Sequence, residues 1–145
     1  MEKLEAIAKL QRLNLIANIQ DISDREYQHE VWVEAKRPGV VDSWEETMCS
    51  IFDDIDLEWM FALENREMHR YTVEQRETLI RFLEKLENYV DDNIGYAYID
   101  PRELKEDEDW QAIVDEAQEV IKLFPEVKDL DRLMVEAIEN IPEDN

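Results

Sequence analysis

The chain predicts an all-α fold, a compact bundle of six or seven amphipathic helices with room for one short β piece. Three observations lead there. Apolar residues recur at helical spacing through most of the 145 residues, as in helices that bury one stripe. Helix-starting signals recur, with Ser, Thr or Asp followed by Glu or Gln. Only two Gly and four Pro occur, too few for the turns of an all-β domain. Hydrophobic residues make up 44% of the chain, and at this length about two-thirds of the unfolded surface becomes buried. Residues 1–145 therefore read as a single helical domain, with no internal repeat and no linker-like stretch.

Helix one spans residues 2–20, with Leu4, Ile7, Ala8, Leu15, Ile16 and Ile19 as its buried side. Leu10 and Leu13 fall elsewhere on the wheel, so this helix is either covered on two sides or broken near Asn14. Ser23 with Glu26 reads as a capping box for a second helix carrying Tyr27 and Val31. Val31-Trp32-Val33 is β-prone, which allows a brief extended piece. Pro38-Gly39 signals a turn. Ser43 with Glu46 caps a third helix from Trp44 to about Phe52, with Met48, Ile51 and Phe52 facing inward. Asp56-Leu57-Glu58-Trp59 opens a fourth, reaching about Glu64.

Thr72 with Gln75 starts the clearest helix. Its Leu79, Phe82, Leu83, Leu86, Tyr89 and Val90 lie at i, i+3, i+4, i+7, i+10 and i+11. Residues 94–99 read as extended or loop. Asp100 then caps a helix with Pro101 at its first position and Glu103 in its first turn. Glu106 to Asp109 complement the dipole of the next helix, which buries Trp110, Ile113, Val114, Ala117, Ile121 and Phe124 before Pro125. The last helix buries Leu130, Leu133, Met134, Ala137, Ile138 and Ile141.

Charge restricts function more than any motif does. Thirty-eight acids against sixteen bases give −22, well beyond the magnitude of about 2–8 usual for a small domain. Nucleic acids and anionic membranes repel such a surface, whereas a basic protein is steered toward it. The sequence has no 18-residue apolar run and no signal-peptide block, and it carries one Cys. These point to a cytoplasmic protein, a monomer or homodimer, without membrane or nucleic-acid partner.

Few residues suggest chemistry. Asp53, Asp54 and Asp56 could hold a hard cation or end one helix and cap the next. Glu26 and His29 have the spacing of a di-iron half-site, but position 66, three before His69, is Arg. Both His therefore read as helix-surface or interface residues. Helical nucleotide pyrophosphohydrolases hold Mg²⁺ with paired Glu-x-x-Glu and Glu-x-x-Asp motifs. Glu64 and Glu67, and Glu84 and Glu87, have the first spacing, but Val90 stands where the second needs Asp. Cys49 reads as a structural thiol, with no His near it in sequence. The chain implies no catalytic residue, no cofactor and no metal.

Tyr27-Gln28-x-x-Val31-Trp32-Val33, Ser43-Trp44-x-Glu46 and Phe52-Asp53-Asp54-x-Asp56 together resemble a pattern of small acidic bacterial proteins of the immunity type, from polymorphic and contact-dependent toxin systems. The resemblance covers about residues 25–57. It implies a non-catalytic inhibitor that binds a basic, nuclease-type toxin domain and covers its active site. Acids flanked by an aromatic are the expected contacts: Asp53, Asp54, Asp56, Glu58 and Trp59, and secondly Glu106, Asp107 and Asp109. The competing expectations are a Mg²⁺-dependent nucleotide pyrophosphohydrolase and a helical scaffold or oligomerisation domain.

Overall fold

In a computed structural model, residues 2–39, 42–93 and 99–142 are described. Of the loop or extended piece expected at residues 94–99, residues 94–98 lie outside them. The helix around which the rest assembles is α1 (Glu2–Ser23), about 33 Å long at 1.5 Å per residue. It packs against α7 (Glu108–Ile121) and α8 (Leu130–Glu139), and also meets a 3-10 turn, Pro125–Asp129, and a π-helical piece, Ser50–Asp54. Neighbours on more than one side explain why Leu13, Leu15, Ile16, Ile19 and Ile22 are all buried without sharing one narrow stripe. The helix runs unbroken through Asn14 and is covered on two sides. Leu4 is exposed, and full burial begins at Ala8.

Asp24, one residue beyond the expected Ser23, caps α2 (Arg25–Tyr27), its Oδ1 accepting the Tyr27 N–H at 3.0 Å. Ser23 instead closes α1, donating to the Gln20 carbonyl at 2.6 Å. The chain then widens into a π-helix, Gln28–Val33, in which the Glu34 N–H reaches the His29 carbonyl at 3.0 Å. The short β piece expected at Val31-Trp32-Val33 is therefore not formed, and no strand occurs among the described residues. Local β preference is weak beside what fixes Trp32. Its ring lies edge-on to Tyr27 at 6.4 Å and against Trp110 at 6.1 Å, and its indole N–H donates to Asp42 at 3.2 Å. Gly39 takes φ +77 in the expected turn.

The remaining helices start where their capping side chains place them. Ser43 Oγ accepts the Glu46 N–H at 3.0 Å to begin α3 (Trp44–Cys49), and Asp56 Oδ1 accepts the Trp59 N–H at 3.0 Å to begin α4 (Leu57–Phe61). Thr72 and Gln75 form both bonds of a capping box at the start of α5 (Val73–Asp92), whose six predicted apolar residues are all buried. Asp100 caps the short α6 (Pro101–Leu104), and Asp107 caps α7. Eight α-helices are thus present among the described residues. The count exceeds six or seven because α2 and α6, both expected from their capping signals, stand as separate single-turn helices.

Two aromatic groups anchor the core. Trp110 meets Trp44 at 6.3 Å, Tyr89 at 5.4 Å and Trp32. Tyr71 meets Phe61, His69 and Phe124 at 5.9–6.3 Å. Arg12 joins α1 to the second group. Its guanidinium lies 4.7 Å from the Tyr71 ring centroid, donates to the His69 and Arg70 carbonyls, and pairs with Glu126 at 2.6 Å. In α8 only Leu130 and Ala137 are buried, and Ile138, expected inside, is 56% exposed. α8 is a peripheral helix docked mainly along α1, so only one narrow side of it is covered.

Candidate functional site

A gathering of carboxylates with no cation among the described residues lining it lies where the end of α1 meets the approach to α3. Asp42, just before the Ser43 cap, is held by three donors. The Tyr27 hydroxyl donates to its Oδ2 at 2.7 Å, the Trp32 indole at 3.2 Å, and the Thr47 hydroxyl lies 3.3 Å from both oxygens. These bonds tie the loop to the π-helical segment and fix the Asp42 carboxylate in place. Opposite it, Asp21 projects from the last turn of α1, at the negative end of the helix dipole. An open hollow of about 520 Å³ separates them, and Glu46 and Asp54 line it as well.

The electrostatics follow from this crowding. The Asp21 carboxyl is pushed up to about 7, chiefly by burial, then by Asp42 and Asp24. Arg37 opposes the shift, but it is already paired with Glu30 at 2.7 Å. Burial and the bond to Asp42 also raise the Tyr27 hydroxyl. Cys49, on the hollow's wall, has its thiol raised by burial and by Asp53, with Asp54 and Glu45 adding. A thiolate is disfavoured here, so Cys49 is poorly suited to act as a nucleophile. No cationic side chain is among the described residues that line it.

The expected contact residues are placed as follows. Asp54 lines the hollow and Asp53 sits beside Cys49, both exposed. Asp56 is engaged as the α4 cap, and Glu58 is exposed in that helix's first turn. Trp59 is half-buried, edge-on to His69 at 4.6 Å. Trp32, Trp44 and Trp110 are buried. Glu106 and Asp109 are exposed, while Asp107 caps α7 and accepts the Tyr89 hydroxyl at 2.7 Å. The structure thus brings Asp54 together with Glu46, expected only as a capping partner, and with Asp21 and Asp42, which no sequence motif marks. Asp21 carried one usable signal, an acid in a helix's final turn, where the dipole favours a base.

The two histidines differ. His29 is exposed and its Nε2 lies 2.7 Å from Glu34, consistent with a surface residue. His69, also expected at the surface, is fully buried between Trp59 and Tyr71. Its Nδ1 lies 3.0 Å from the Asn65 carbonyl, so Nδ1 carries the proton, and burial lowers its pKa. Glu64, Glu67, Glu84 and Glu87 are all exposed. Among the described residues no group of three or more His, Cys, Asp or Glu is arranged to hold a metal ion. None of the helices described is long and apolar enough to cross a membrane.

What this arrangement offers is negative potential fixed in space, open to solvent and without a countercharge among the described residues that line it. No family model, curated protein or solved structure matches the chain.

Proposed function

We propose that this chain is a non-catalytic acidic binding protein, an immunity-like inhibitor that neutralises a basic, nuclease-type toxin domain. The observation that carries the reading is the convergence of Asp21, Asp42, Glu46 and Asp54 on one open hollow with no cation among the described residues that line it. A Lys or Arg inserted there relieves repulsion within the inhibitor while it pairs with the carboxylates. Such a hollow competes for the side chains with which a nuclease holds phosphates. Asp53 and Glu58, both exposed, extend the negative surface at the end of the same chain segment.

The test uses a panel of basic, nuclease-type toxin domains, with inhibition of nuclease activity and association rates measured together. Inhibition at one-to-one stoichiometry is expected, with an association rate that falls at least about tenfold between low and physiological-range salt. Asp54→Asn should weaken binding. Because a bound cation lowers the Asp21 carboxyl from about 7, complex formation should release a proton, and affinity should rise as pH increases through that value. Failure to inhibit, or a rate indifferent to salt, removes the proposal.

A further inference from the structure

A second hollow, of about 510 Å³, lies between the π-helical Gln28–Val33 segment, α6 and the start of α7. This is within the range of roughly 300–1,000 Å³ for sites that take small organic ligands. It shares no lining residue with the acidic hollow, and its character is opposite. In a chain where acids outnumber bases 38 to 16, the described residues lining it include Arg25, Arg102, Lys105 and His29, with Glu26 as the one acid among them. Apolar surface comes from Val33, Pro101 and Leu104.

Two of the cations are braced. Arg25 donates through Nε to Gln111 Oε1 at 2.6 Å and through Nη2 to Asp115 at 2.7 Å. Arg102 is held on Asp100 by bonds of 3.0 and 2.7 Å. Neither acid lines the hollow. Gln111 also donates to the Leu104 carbonyl at 2.9 Å, fastening α6 to α7. Lys105 is exposed and has no ion-pair partner among the described residues. A screening length of about 8 Å at physiological salt damps the repulsion an anion feels from the molecule's distant acids, while Lys105 acts at close range.

We propose that this hollow binds a small amphipathic anion, an apolar body of one or two rings carrying a single carboxylate or sulfonate. The apolar body lies on Val33, Pro101 and Leu104, and the head group meets Lys105 and the braced guanidiniums.

The test is a titration of the full chain with 8-anilinonaphthalene-1-sulfonate, followed by fluorescence and by amide chemical shifts. The neutral analogue N-phenyl-1-naphthylamine is titrated in parallel. One dye per chain is expected, with shifts centred on residues 25–33 and 101–111. The charge reversal Lys105→Glu should weaken the sulfonate about tenfold and leave the neutral analogue unchanged. Arg102→Glu, also at an exposed position, gives an independent second variant with the same expected direction. The proposal is overturned by shifts that centre elsewhere, by the absence of saturable binding, by a neutral analogue that binds as tightly as the sulfonate, or by both reversals leaving sulfonate affinity unchanged.

Discussion

Replacing Asp21 by Asn should make this protein more stable, and the gain should depend on pH. In the folded chain this carboxyl is held at about 7 against an ordinary value of 3.8. Between those values the unfolded chain releases the proton that the folded chain retains, so folding stability falls as pH rises from about 4 to about 7 and then levels off. At about 1.4 kcal/mol per pH unit the whole difference amounts to about 4 kcal/mol, and residual water access to the half-buried group reduces it to about 2–3 kcal/mol. Removing a negative charge from the last turn of α1 adds a few tenths of a kcal/mol in the same direction. The side chain makes no hydrogen bond among the described residues, so Asn forfeits only the weak attraction of Arg37, which is already paired with Glu30. Urea unfolding followed by Trp fluorescence measures the effect. Asp21→Asn should exceed the parent by about 2–3 kcal/mol near pH 8, with the two converging below about pH 4. A variant less stable at pH 8, or a difference that does not change with pH, refutes the account of a strained carboxylate cluster. If the hollow is the binding site, the same variant should bind the basic partner less tightly, a stability gain made at the expense of function.

Two further substitutions probe the framework and the hollow's wall. Arg12→Met leaves Glu126 and the His69 and Arg70 carbonyls without their donor and removes the cation from the Tyr71 and Phe124 rings. Because Glu126 keeps some access to water, the cost should be about 2–4 kcal/mol by chemical denaturation, and a loss below about 1 kcal/mol contradicts the hub role. Cys49 should react slowly with iodoacetamide at neutral pH and faster as pH rises, since burial and Asp53 disfavour its thiolate. Asp53→Asn should accelerate the reaction several-fold, and an unchanged rate would show that charge does not control the thiol.

The parts of the fold legible in the sequence are those set by local chemistry. Thr72 with Gln75, Ser43, Asp56 and Asp100 each start a helix where their side chains indicated. The α5 stripe is buried residue for residue, because that helix presents a single side to the core. Where two local signals competed, the sequence was ambiguous. Ser23 and Asp24 are both good caps, and the choice fell to Asp24 because α1 continues through Ser23. Val31-Trp32-Val33 became π-helical through contacts with Trp110 and Asp42, the first of them far away in the chain. His69 gave no sign of burial, since its cover comes from Trp59 and Tyr71 on either side of an irregular turn. The acidic hollow was half visible. Asp53 and Asp54 stand out as a run, but Asp21 and Asp42 meet only when the end of α1 folds against the loop before α3.

The three buried indoles have a consequence for how the molecule can be observed. Trp32 and Trp44 both sit within 6.3 Å of Trp110, close enough for their electronic transitions to mix. The resulting paired bands distort the far-ultraviolet dichroism, so a helix content read from the ellipticity at a single wavelength will be wrong for this chain. The same coupling makes a label-free sensor. Trp32 is bonded to Asp42 at the hollow's edge, and any cation seated there changes the field on one oscillator of the trio and with it the shape of the shared spectrum.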